Sequence, residues 1–167
     1  MRISRILFVA VVLLVAHPLD AQAPATVDFK PLEFLVGRCW VGTFPDGKKT
    51  DEHCFEWVFD RKFIRDRHSV RGAAVEYQGE TLFGWDEKAR HLGYWYWNSE
   101  GQMMVGTVLY EPGAIVFPTR YETEKGPVEI RAVWTAMGTD SYQVSQSQRS
   151  GAEWKPLWTM TLKRIDR

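Results

Sequence analysis

From about Pro24 onward, turn chemistry interrupts the chain at short and even intervals, and this spacing constrains the fold more than any other feature. The interruptions are Pro45-Asp46-Gly47, Asp60-Arg61-Lys62, Gly72, Asp86-Glu87-Lys88, Asn98-Ser99-Glu100-Gly101, Glu111-Pro112-Gly113, Lys125-Gly126-Pro127, Gly138-Thr139-Asp140 and Ser150-Gly151. The segments between them, 38–44, 50–59, 63–71, 75–85, 91–97, 103–110, 114–121, 128–137, 141–148 and 154–164, are rich in Trp, Tyr, Phe, Val and Thr. Such residues suit a pleated surface, so the pattern predicts about ten strands. Only residues 29–36 look helical, and they are too few for more than a turn or two.

Alternation gives the strands a dry and a wet side. Val128, Ile130, Ala132 and Trp134 oppose Glu129, Arg131 and Thr135; Trp154, Trp158, Met160 and Leu162 oppose Lys155, Thr159, Thr161 and Lys163. Without helices to cover a sheet, the strands must form a sandwich or close on themselves. Sequential hairpins favour the second, since closure removes exposed edges. The expected fold is therefore all-β: a single antiparallel up-and-down β-barrel of about ten strands, preceded by a short helical turn.

The first 23 residues read differently. Arg2 and Arg5 precede an unbroken apolar run at residues 6–16, then His17, Pro18 and Asp20 break it, and Ala21-Gln22-Ala23 offers a small-x-small cleavage pattern. The run is shorter than the roughly 20 apolar residues that span a bilayer. Residues 1–23 are thus expected to be a cleaved signal peptide, and residues 24–167 one exported domain, periplasmic or secreted, with no stable membrane insertion. Cleavage removes two cations and one anion and leaves a net charge of −1. A near-neutral domain gives no electrostatic reason to expect nucleic acid as a partner.

Cys39 and Cys54 are the two cysteines. In an exported chain such a pair is a candidate disulfide. A hairpin centred on the Asp46–Gly47 bond makes them equidistant from the turn and sets them opposite one another at bridging distance. A three-residue loop starting at Pro45, with Gly47 as a bulge, shifts the register by one and puts the thiols on opposite faces. Both registers are open at this level.

The run Leu35-Val36-Gly37-Arg38-Cys39-Trp40-Val41-Gly42 resembles the opening signature of lipocalin-like (calycin) barrels, in which a helical turn precedes a Gly and a Trp that close one barrel end. The run GETLFGWDEKARHLGYWYWNSEGQMMVG, from Gly79 to Gly106, resembles a bacterial family of exported proteins of unknown function in that superfamily. The resemblance implies barrel closure by Gly37 and Trp40, with Arg164 laid over the Trp40 ring. It also implies, as in many relatives, an interior pocket for a small apolar ligand. Haem-binding relatives use a His late in the chain, and no His follows His91; no metal or other cofactor is expected.

Aromatic residues supply the loudest chemical signal. All eight Trp lie beyond residue 24, and Tyr94-Trp95-Tyr96-Trp97 places two aromatics on each face of one strand. Trp57, Trp85, Tyr96, Trp134 and Trp158, with His68, are the expected ligand wall, suited to apolar or planar molecules. The other reading is that these rings fill a packed core. Within Phe63-Ile64-Arg65-Asp66-Arg67-His68-Ser69-Val70, one face carries Asp66 and His68, a candidate acid–base pair if it points inward. The opposite face carries Arg65 and Arg67, which would suit a ligand carboxylate. There is no Gly-x-Ser-x-Gly elbow and no phosphate loop. Three functions follow as expectations: a carrier of a small hydrophobic or aromatic molecule, an isomerase or hydratase using Asp66 and His68, and an envelope interaction protein with a filled core and exposed aromatics.

Overall fold

A computed structural model describes residues 27–72, 74–124 and 126–166. The signal-peptide reading of residues 1–23 lies outside them. A short 3-10 helix, Lys30–Leu35, leads into eleven antiparallel strands: β1 Arg38–Thr43, β2 Thr50–Val58, β3 Phe63–Arg71, β4 Tyr77–Asp86, β5 His91–Asn98, β6 Met103–Thr107, β7 Leu109–Glu111, β8 Ala114–Thr123, β9 Gly126–Ala136, β10 Ser141–Ser150 and β11 Glu153–Ile165. They form one curled sheet in the order β6-β5-β4-β3-β2-β1-β11-β10-β9-β8-β7.

The sheet curls into a half-barrel and does not close. The expected single strand over 103–110 is two, because the chain changes partner at Val108: β6 pairs with β5 and β7 with β8. Val108 sits at the switch with its side chain buried and its N–H donated to the Leu92 carbonyl at 2.8 Å. No ladder joins β6 to β8, although their Cα atoms come within 8 Å. Side chains stitch the seam instead. Tyr94 on β5 shares a 2.9 Å hydrogen bond with Thr119 on β8, and Phe83 and Tyr94 both pack on Phe117 at 5.9 Å.

The β1–β2 hairpin adopts the register centred on Asp46–Gly47. Cys39 lies opposite Cys54, with Cα atoms 4.1 Å apart, and the two form a disulfide. A bridge over this short loop contributes about 3 kcal/mol.

One end of the half-barrel is plugged. Pro31 falls in the first turn of the 3-10 helix, and Leu32 and Leu35 are fully buried beneath the sheet. Gly37 leaves this helix with a φ of +74°, a left-handed conformation that favours glycine. Its N–H bonds the Phe55 carbonyl at 2.8 Å. Trp40 is fully buried next to it and donates its indole N–H to the Leu35 carbonyl at 3.2 Å, so the ring locks the helix to β1. Burying a side chain such as Leu32 or Leu35 stabilises the fold by about 1.5–3 kcal/mol. Arg164 lies across the ladder from Trp40, but its guanidinium is engaged by Asp140 at 2.8 Å and Asp166 at 3.6 Å, not by the indole ring. The cation–π contacts of the described residues fall elsewhere, on Phe44, Trp57 and Trp154.

A second departure from simple alternation occurs in β11. The β10–β11 register shifts between Gln146 and Ser147, so that Gln146 faces Trp158 but Ser147 faces Pro156. Proline is tolerated in a strand at such a bulge. The shift turns Trp154 away from the face that carries Trp158 and Met160. Its ring is covered by the Arg131 and Arg149 guanidinium groups at 4.7 and 5.4 Å.

Candidate functional site

Toward the end opposite the helical plug, the concave face encloses a cavity of about 280 Å³. Its apolar wall is Phe83, Phe117, Ala132, Trp134, Val144 and Met160, with Trp158 and Met104 toward the rim. Its polar wall comes from β2, β3, β4 and β5: Asp51, His53, Asp66, His68, Tyr77 and Tyr96.

Strand alternation explains the polar wall. On β2, Asp51 and His53 share a face with Phe55, which is buried in the core; on β3, Asp66 and His68 share a face with Ile64, which is also buried. The β2–β3 register then sets His53 directly opposite His68, and the two rings stack at 4.7 Å with 14° between planes. Arg65 and Arg67 take the outer face, where Glu56 holds both, at 2.7 and 3.2 Å. The inward-Arg alternative is therefore not the one adopted.

The polar groups form one continuous hydrogen-bonded chain. Asn98 begins it: its side-chain oxygen accepts the N–H groups of Glu100 and Gln102, so its amide nitrogen donates to the Tyr77 hydroxyl at 3.0 Å. The Tyr77 and Tyr96 hydroxyls share the next hydrogen bond. The Tyr96 hydroxyl is hydrogen-bonded to His68 Nε2 at 3.2 Å, and His68 Nδ1 to Asp51 Oδ1 at 3.0 Å. His53 spans the two carboxylates, with Nε2–H on Asp51 Oδ2 at 3.2 Å and Nδ1–H on Asp66 Oδ2 at 2.8 Å. With a carboxylate on each ring nitrogen, His53 is held as an imidazolium.

The electrostatics follow the same logic. Burial alone would push His53 down, but the Asp66 carboxylate, together with Asp51, outweighs it and holds the ring up to about 10. Burial would likewise raise Asp51; hydrogen bonds from His53 and His68 overcome that and keep it well below the usual carboxylate range. Tyr96 is pushed well above its ordinary value by burial and then by its bond to Tyr77. Tyr142, buried deeper, is raised by burial and by the Asp66 and Asp51 charges. Two buried atoms have no hydrogen-bond partner among the described residues, Asp66 Oδ1 and the Tyr142 hydroxyl.

Gly79 makes the cavity-side part of this chain possible. It lies opposite both His68 and Asn98 in the sheet. A Cβ there would strike His68 Nε2 and would come within 2.6 Å of the Tyr96 hydroxyl. Close approach, not backbone conformation, demands glycine at this position.

Of the residues singled out from sequence, His68, Tyr96, Trp134 and Trp158 come together on the cavity, and so does Asp66. Asp66 is not the partner of His68, however: it holds His53, and Asp51 holds His68. Trp57 stands apart, edge-on to Phe29 at 5.2 Å with Arg61 over its face at 4.6 Å. Trp85 is half-buried and does not line the cavity. Within residues 94–97 the tyrosines face in, while Trp97 is exposed on the outer face. Sequence reasoning missed Asp51, His53 and Tyr77. The alternation of Asp51 and His53 with Phe55 and Trp57 was the signal that carried the first two.

Among the described residues, two groups of donor atoms are close enough to hold a metal ion. One is Asp51, His53 and His68, with donors within 4.8 Å of one another; the other is Cys39, Glu52 and Cys54, whose sulfurs are already joined in the disulfide. No known family model matches the chain, and no curated protein matches it either.

Proposed function

We propose that this protein is an exported, lipocalin-like binding protein for a small, largely apolar or aromatic molecule with one polar end. The observation that carries this reading is a cavity with aromatic and aliphatic walls on one side and a hydrogen-bonded row of hydroxyl and imidazole groups on the other. Ligand sites are mostly apolar with a few convergent polar groups, and a volume of about 280 Å³ is at the small end of their range, suited to a molecule of about one ring. The Cys39–Cys54 disulfide favours an oxidising compartment. Among the described residues no helix is long and apolar enough to cross a membrane. The Gly37–Trp40 plug supports the lipocalin-like comparison, as does the curled sheet behind it.

Native mass spectrometry of the protein purified without detergent from its own cells tests this reading. A stoichiometric added mass, released on denaturation and lost in a Trp134→Ala or Trp158→Ala variant that remains folded, is the expected result. A bare protein that also fails to take up small aromatic probes refutes it.

The Asp51–His68–Tyr96 series favours one second reading, an enzyme that moves a proton on a bound apolar substrate. The Asp51 carboxylate orients the imidazole, and His68 and Tyr96 both line the cavity. Under that reading a Tyr96→Phe change abolishes turnover and leaves binding within a few-fold.

A further inference from the structure

We propose that Asp51, His53 and His68 form a binding site for one divalent first-row transition ion, such as Zn2+, open on one side to the cavity. The donors are two imidazole nitrogens and a carboxylate oxygen, the set used by sites that keep positions free for water or a ligand. Asp51 lies 3.2 Å from His53 Nε2 and 3.0 Å from His68 Nδ1. These are the separations of neighbouring ligands around one ion with bonds of about 2.1 Å. The two His are directly paired across the β2–β3 ladder, so the backbone holds them together whether or not an ion is present.

The surroundings prepare both rings for this role. Asp66 accepts from His53 Nδ1–H and so leaves Nε2 to ligate; the Tyr96 hydroxyl is the acceptor for His68 Nε2–H in the tautomer whose Nδ1 ligates. A carboxylate on the far nitrogen of a ligating His is the usual outer support of such sites. A second, independent observation is the Asp66 carboxylate: it is buried, its Oδ2 accepts from His53 Nδ1–H at 2.8 Å, and its Oδ1 has no hydrogen-bond partner among the described residues. The proposal does not depend on what organic molecule occupies the cavity.

The test is titration of untagged, EDTA-stripped protein with Zn2+ by calorimetry and with Co2+ by visible absorption. The expected result is one ion per chain with a dissociation constant at or below the micromolar range, and a Co2+ spectrum that Zn2+ abolishes. His68→Gln is expected to weaken binding at least a hundredfold. Asp66→Asn, which keeps all three ligands and is the variant most able to fold, is expected to weaken it about 10–100-fold. Absence of saturable binding of either ion to the folded wild-type protein overturns the proposal. Unchanged affinity in a folded His68→Gln variant overturns it as well.

Discussion

Removing His53 is the most informative perturbation, because it strips the donor from a carboxylate that has no other. Asp66 is 2% exposed, its Oδ2 accepts from His53 at 2.8 Å, and its Oδ1 is already unpartnered. A His53→Leu change leaves a buried charge with no compensation and is expected to cost about 3–5 kcal/mol. Asp66→Asn still offers His53 an acceptor oxygen and is expected to cost about 1–2 kcal/mol. Replacing both residues, as His53→Leu with Asp66→Leu, removes the stranded charge and is expected to cost less than His53→Leu alone. The assay is urea unfolding followed by tryptophan fluorescence, in EDTA, at pH 7. The same pair predicts a pH dependence. The folded state holds the His53 proton more tightly than the unfolded chain, so its contribution is complete below about pH 6.5. It declines as pH rises and is gone once pH passes through about 10. Asp51 acts in the opposite sense: its lowered value makes its contribution complete above about pH 4 and lost in stronger acid. A His53→Leu cost below about 1 kcal/mol, or a double variant worse than the sum of its parts, would refute the charge accounting.

Gly79→Ala is expected to break the His68–Tyr96 bond and cost about 1–3 kcal/mol in urea unfolding, since the new methyl group meets both side chains. Cys39→Ala with Cys54→Ala is expected to cost about 3 kcal/mol, and the unreduced wild-type protein should titrate no free thiol after denaturation. Trp158→Ala is expected to enlarge the cavity and alter probe binding, whereas Trp154→Ala, on the other face beyond the bulge, should leave it unchanged; equal effects would refute the assigned register.

How much of this was legible in the sequence depends on how far apart the partners lie. The turn at Pro45-Asp46-Gly47 narrowed the Cys39–Cys54 question to two registers, because one hairpin determines it, and the structure adopts the one that pairs them. The inward face of β3 could be narrowed to two choices from alternation alone, and Asp66 and His68 were both found on the cavity. Their partners were not, because His53 meets His68 only through the register that the turn at residues 59–62 imposes on two strands. That turn runs through Phe59, Asp60 and Arg61, all at positive φ, a path that composition does not announce. Two other failures share a cause. The Trp154 face and the split at Val108 both arise where a strand stops alternating, at a bulge and at a change of partner. A period of two is blind to both.

The order of groups along the polar chain bears on what the cavity can accept. The charged members, Asp51, His53 and Asp66, lie at its deep end, and His53 stacks between Phe55 and His68. Its outer members, Tyr96 and Tyr77, present hydroxyls, and burial and the bond to Tyr77 keep the Tyr96 proton in place. A ligand entering the metal-free protein would meet these hydroxyls and the aromatic faces, with the Asp51 and Asp66 carboxylates on the same wall, a setting that favours a neutral molecule with a hydroxyl or carbonyl group over a carboxylate. An ion held by Asp51, His53 and His68 reverses this preference, because it presents positive charge behind the same hydroxyls. The two proposals thus make a joint statement that neither makes alone: adding Zn2+ should shift selectivity among aromatic probes of equal size toward the anionic one, and a His68→Gln variant should show no such shift.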